Sequence, residues 1–164
     1  MSQKYKVYLW VSVSALAVFI FYICFQTIFA KEEGRIRNFI LQGRRAAEAR
    51  DIFACAGMVS NNYQDKYGND RAILIYNAKE FFAYYKRILI YIEKMEIKLN
   101  DSKKEACVEL VAVVLVESEE SKKEYIFEKD KGRFQIKLVK ENNKWQVQEL
   151  ELFEPINIMG QEIS

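Results

Sequence analysis

Residues 134–150 read "FQIKLVKENNKWQVQEL", and the fold turns on how they are interpreted. Phe134, Ile136 and Leu138 alternate with Gln135 and Lys137, the period-two pattern of a strand with one face on a core. Asn142 and Asn143 then supply two residues that tolerate positive φ, as a tight hairpin turn requires. Beyond the turn, "KWQVQELELF" places Trp145 and Val147 inward. Leu150 and Leu152 join the same face only if a bulge changes the phase of the strand.

Working upstream, "ACVELVAVVLVES" (106–118) is apolar on both faces, as expected of a central strand. Met95, Ile97 and Leu99 alternate with Glu96 and Lys98 and end at the turn "NDSKK". "ESEES" (117–121) reads as a turn, which makes Glu117, Glu119 and Glu120 solvated charge rather than paired carboxylates. "KKEYIFE" (122–128) is a further strand and "KDKG" (129–132) a turn or bulge. Consecutive strands joined by short turns make an antiparallel meander. After Pro155 an irregular tail is expected.

Ahead of the strands the period is helical. From residue 35 to about 62, Ile36, Phe39, Ile40, Ala49, Ile52, Phe53, Ala56 and Val59 recur at three-to-four spacing. Arg37, Arg44, Arg45 and Arg50 on this segment form either a solvated face or a surface for anionic headgroups. From Arg71 to about Tyr91 a second stripe carries Leu74, Ala78, Phe81, Tyr85, Ile88 and Ile92. Its width asks for a sheet beneath it.

Between the two helical segments lies "VSNNYQDKYGND" (59–70), with Gly68, Asn69 and Asp70 as breaker and helix cap. Tyr63, Asp65, Tyr67 and the later Tyr85 are the candidate ligand-binding residues. A desolvated Asp65 could act as a base at a pocket mouth. The plainer interpretation is an interhelix joint, with Asp and Asn capping backbone donors and the tyrosine hydroxyls in water.

Composition narrows the chemistry. The chain has 164 residues, no histidine, three cysteines and a net charge of +2. Histidine-dependent triads and dyads are therefore ruled out. Ligand supply excludes a structural zinc site, and no metal or cofactor is expected. The small net charge gives no basis for nucleic-acid binding. Cys24, Cys55 and Cys107 form no CxxC, and a Cys55–Cys107 pairing stays open beside two free buried thiols.

Residues 7–30, "VYLWVSVSALAVFIFYICFQTIFA", carry no charge and are flanked by Lys4, Lys6 and Lys31. As a helix they cover about 36 Å, against roughly 30 Å of hydrocarbon. They are expected to form a single-pass anchor after an N-terminal tail (1–6). The rival is a cleaved signal, whose apolar core is usually shorter. Lys4 and Lys6 place the N-terminus in the cytoplasm and the domain outside it, whereas Lys31, Arg35, Arg37, Arg44 and Arg45 argue the reverse. Asn100-Asp101-Ser102 is a glycosylation sequon, relevant only in a eukaryotic lumen.

The pattern resembles the nuclear transport factor 2-like superfamily, with its cystatin-like α+β cone. The matching residues are "YQDKYGNDRAI" (63–73), "FFAYYKRI" (81–88), "ACVELVAVV" (106–114) and the closing hairpin 134–150. The resemblance covers roughly residues 33 to 153 and rests on spacing. It implies an α+β domain (31–154) of two or three helices packed on a curved antiparallel sheet of four or five strands, followed by a tail (155–164). Members include isomerases, dehydratases and cyclases as well as non-catalytic adaptors, so the fold leaves function open. Tyr63 and Asp65 match the enzymes' tyrosine and aspartate in composition only, because two residues apart on a helix they would not share a face. The expected function is a membrane-tethered, non-catalytic interaction domain, in contact with the bilayer through residues 7–30 and with a second copy or an envelope protein. The alternative is a small-molecule binder, or an isomerase- or dehydratase-like enzyme, with a cone pocket.

Overall fold

The computed structural model describes residues 18–19, 31–118 and 128–155. The chain divides into two compact units, Met1–Arg35 and Ile36–Ser164. No helix among the described residues is long and apolar enough to cross a membrane. The expected span 7–30 lies outside the described residues except for Val18 and Phe19, as do most of "KKEYIFE", Glu119, Glu120 and the tail beyond Pro155.

Residues 31–48 form helix α1. The single helix expected to run to about 62 stops here, because Arg50 takes a left-handed conformation (φ 55°). The Arg50 N–H donates to Ala47 O at 3.0 Å and the Asp51 N–H to Ala46 O at 2.9 Å. These are the two bonds of a Schellman stop. Glycine is the usual residue at that position, and with arginine there the break was hidden. Asp51 immediately restarts the chain, accepting from the Ala54 N–H at 2.9 Å to cap α2 (Ile52–Gly57).

Residues 58–64 run along the edge of the last strand. The Val147 N–H donates to Met58 O at 2.8 Å, the Ser60 N–H to Val147 O at 2.9 Å and the Gln64 N–H to Gln148 O at 3.1 Å. A sheet edge that would otherwise expose unpaired backbone is thus covered. Val59, expected on a helical stripe, instead makes a parallel bridge to Val147.

Helix α3 (Arg71–Tyr84) begins as expected, with Asp70 accepting from the Ile73 N–H at 3.0 Å. It ends seven residues early. Tyr85 is already extended (φ −101°, ψ 123°) and opens β1 (Tyr85–Leu99). Strands β2 (Glu105–Ser118), β3 (Glu128–Glu141) and β4 (Lys144–Pro155) follow, in sheet order β1-β2-β3-β4 with every neighbour antiparallel.

"KDKG" is continuous strand rather than a turn, and Pro155 is the last residue of β4. The β3–β4 turn has Asn142 at φ 48° and Asn143 at φ 63°, as a two-residue hairpin needs. The bulge expected in β4 is present: the register shifts where Lys137 pairs Glu149 and Leu138 pairs Val147.

Three helices thus pack on a four-strand antiparallel sheet. The inner face buries Ala106, Val108, Leu110 and Leu138 against Ile36 and Ile40 of α1, with Trp145 closing the cluster. Burying each large aliphatic side chain contributes about 1.5–3 kcal/mol. The outer face carries cross-strand pairs such as Lys98–Glu109 and Lys137–Glu149, each at 2.6 Å. Glu117 departs from expectation. It is 3% exposed, in β2 rather than a solvated turn, and pairs with Lys86 at 2.6 Å and Arg87 at 3.8 Å. Strand β1 begins early enough to set Arg87 opposite Glu117, and the two cations offset the desolvation of the carboxylate.

Candidate functional site

Of the four residues singled out in the sequence, Tyr63, Asp65 and Tyr67 lie in the loop between α2 and α3. Asp65 Oδ1 accepts from the Tyr67 and Asn69 N–H groups, each at 2.9 Å, and Oδ2 from Asn69 Nδ2 at 2.8 Å. These bonds, the Asn69 side-chain amide first, hold its carboxyl below the usual range. A carboxylate stabilised in its charged form this way is a poor base. Gly68 takes φ 82° to close the loop.

Tyr63 is only 3% exposed, more buried than the half-wet ring expected. Burial, then the charge of Asp65, pushes its phenol up, while the Leu150 backbone pulls the other way. Tyr67 is 78% exposed. Tyr85 sits at the α3–β1 junction, its ring 4.7 Å from Phe81 and 4.8 Å from Tyr84. The structure brings Tyr63, Asp65 and Tyr67 into one loop and leaves Tyr85 apart from them.

Other residues build a cavity of about 340 Å³ between the helices and the sheet. Helix α1 contributes Phe39, Ile40, Gly43, Arg44 and Ala47, and the α2 region adds Cys55, Met58 and Val59. Leu74 of α3 and Ile90 and Ile92 of β1 add to the wall. The sheet floor is Leu110, Ala112, Val114, Phe134, Ile136, Val147 and Leu150. The inner-face alternation of all four strands therefore ends in an open space as well as a core. Its size is that of small-molecule pockets, at the lower end of the range.

Two wall residues carry polar atoms of chemical interest. The Cys55 thiol is pushed up by burial and, second, by the charge of Asp51, so it stays a neutral, soft surface. Both Cys55 and Cys107 are free thiols. Arg44 Nε is buried without a hydrogen-bond partner and lies 3.8 Å from Glu48 Oε2. Glu48 is occupied elsewhere, its Oε1 accepting from the Ile90 N–H at 2.9 Å. The sequence groups Arg44 with Arg37, Arg45 and Arg50 as a solvated face or a surface for anionic headgroups. The signal that could have found it is its spacing: it falls four residues after Ile40 and three before Ala47, inside the apolar stripe.

No protein-family model matches the sequence, and no curated protein does. Solved structures do. A candidate scytalone dehydratase from Novosphingobium aromaticivorans superposes with a TM-score of 0.69 at 14% identity, over 84% of this chain and 99% of that one. A nuclear transport factor 2-like superfamily protein from Salmonella enterica serovar Typhimurium gives 0.66 at 11% identity, over 82% and 99%. The fold is nuclear transport factor 2-like. A candidate dehydratase of that family from Streptomyces avermitilis gives 0.69 at 8% identity, over 78% and 98%. Identities this low speak for the fold alone, and the chemistry has to come from the cavity itself.

Proposed function

We propose that the domain is a membrane-tethered, non-catalytic module that holds an apolar small molecule in the cavity between its helices and its sheet. The observation that carries this is the cavity wall: about 340 Å³ of space lined by aliphatic and aromatic side chains, with a guanidinium and a neutral thiol as its ionisable groups among the described residues. Binding needs apolar walls and a few polar groups, which are present. Proton abstraction needs a base that can lose and regain its proton near neutrality. An arginine side chain does not do so, and the raised Cys55 thiol is poorly matched to it. The candidate dehydratases among the structural neighbours support a small-molecule pocket in this fold without assigning one here. The tether is residues 7–30, with the domain outside the cytoplasm.

Thermal melting of the full chain against a panel of apolar compounds tests the reading. At least one compound raises Tm in the wild type. Ala112→Leu, which fills space from the sheet floor, removes that rise while leaving the ligand-free protein folded. If no compound shifts Tm, the binding reading fails. Deleting residues 7–30 moves the protein out of the membrane fraction, and retention there sinks the tether.

A second reading, contact with an envelope protein or a second copy, is favoured by one observation. Phe53, Tyr67, Tyr76 and Tyr84 stand exposed on and around α2 and α3. Crosslinking in intact membranes that maps to these residues would support it.

A further inference from the structure

Arg44 is the unexplained residue of the cavity. The fold gives it an i,i+4 ion pair with Glu48 at 3.8 Å, a weak contact that does not by itself call for a cation inside the apolar stripe of α1. A guanidinium carries five donors in a planar fork suited to a carboxylate. Here the buried Nε makes no hydrogen bond, and the nearest carboxylate oxygen, on Glu48, is 3.8 Å away, beyond hydrogen-bond range. The other oxygen of Glu48 accepts from the Ile90 N–H on the edge of β1 at 2.9 Å. Arg44 thus lines the cavity with one buried donor unused, while its side chain as a whole is 33% exposed.

We infer that the cavity takes an anionic amphiphile, an apolar chain or ring system bearing a carboxylate, with Arg44 holding the carboxylate and the sheet floor holding the apolar body. The inference rests on the binding reading above and adds the charge and class of the ligand. A carboxylate at Arg44 satisfies the orphan Nε and gives the charge-assisted, two-point contact that this pair forms best. The apolar part then lies on Leu110, Ala112 and Ile92. Size sets an upper bound. With roughly 30 Å³ per water-sized group, the cavity holds a ligand of about ten to twelve heavy atoms. Decanoate is of that size.

Cys55 provides a site-specific readout, because its thiol lines the same cavity. The full chain in lipid nanodiscs is alkylated in mildly alkaline buffer, with modification at each cysteine followed by peptide mass spectrometry. Cys107, on strand β2 and not among the residues lining this cavity, is the internal control. Decanoate should slow alkylation of Cys55 and leave Cys107 unchanged. 1-Decanol should need about tenfold or more higher concentration for the same protection, the factor expected from losing a hydrogen bond to a charged group. Arg44→Gln should bring the two compounds level.

Equal protection by acid and alcohol in the wild type keeps the binding reading and overturns the role of Arg44, as does an unchanged preference in Arg44→Gln. Protection by neither compound overturns both. Should Arg44→Gln fold poorly, the wild-type comparison of decanoate with 1-decanol and decylamine still decides, because a cavity selecting for an anion binds the amine least.

Discussion

The two ends of the domain are held together by different physics. At one end, Ile36 and Ile40 of α1 pack with Val108, Leu138 and Trp145 in a dry cluster. At the other, neither α2 nor α3 has a single buried residue. Polar clamps do the holding there. Arg71 donates from Nη2 to Ala56 O at 2.9 Å and from Nε to Val59 O at 3.3 Å, closing the end of α2. Arg50 reaches from the start of α2 to Tyr85 O at 3.2 Å and Phe82 O at 3.4 Å, closing the end of α3. Each arginine closes the helix at whose start the other one stands. An apolar cluster gains from every Å² removed from water, whereas exposed hydrogen bonds mostly exchange with solvent. The cavity lies where the first regime gives way to the second, which is where local opening costs least.

The largest expected effect is at the dry end. Leu138 is 1% exposed, so Leu138→Ala should cost about 3 kcal/mol, within the roughly 2–5 kcal/mol range for buried leucines. Denaturant unfolding should show a lower midpoint with an unchanged slope. A cost under about 1 kcal/mol would mean that this end is no better packed than the other, and the contrast would disappear.

Arg71→Ala comes next, at about 1–2 kcal/mol for two charged-donor bonds at a partly wet site. Its effect should be local. Hydrogen exchange should accelerate in α2 and at the start of α3 while amides of β2 and β3 keep their protection. Uniform acceleration would show that both ends unfold as one unit. Asp70→Ala should follow at about 1 kcal/mol, the usual value of a helix N-cap, and should be confined to α3.

The same contrast explains what could be read from the chain. The dry end was legible because its signals are strictly local: period two in Phe134, Ile136 and Leu138, an Asn-Asn turn, and Trp145 after it. The α3–β1 boundary was not, since residues four apart satisfy both periods. Phe81, Tyr85, Ile88 and Ile92 make a helical stripe, while Ile88, Ile90 and Ile92 also share one face of a strand. The break at Arg50 was hidden because arginine occupies a position where glycine is the usual marker. At the site, "VSNNYQDKYGND" stands out for its polar groups, and Asp65 spends its carboxylate on the N–H groups of Tyr67 and Asn69 and the Asn69 amide, within the loop itself. The cavity arises from apolar residues on α1, α2, α3 and four strands. No spacing rule links them, and only Arg44 inside the α1 stripe marked it.

Acid should discriminate the joint from the core. The Asp65 carboxyl is held below its ordinary range by Asn69 and the neighbouring N–H groups. Its folded pKa therefore lies below its unfolded one. The stability it adds is fully present above the unfolded value and fades as pH falls through the folded value. Below about pH 4, amide exchange at Tyr67 and Asn69 should rise before that of β2 and β3. In Asp65→Asn the rise should be present at neutral pH and insensitive to acid. Equal acid sensitivity in both proteins would assign the effect to other carboxylates.

The smallest effect on stability tests what the exposed end is for. Phe53 is 86% exposed on α2, and Tyr76 stands out from α3. Neither ring gains much by folding, so Phe53→Ser and Tyr76→Ser should each change stability by less than about 0.5 kcal/mol. A larger loss in the isolated protein would mean the rings are packed in solution, and the loosely held end would then be better buried than its surface shows. With stability unchanged, the same two variants can be compared with wild type for crosslinking in membranes. A loss of crosslinks there would give this end an occupant, and its weak internal packing would follow from apolar surface kept for a partner.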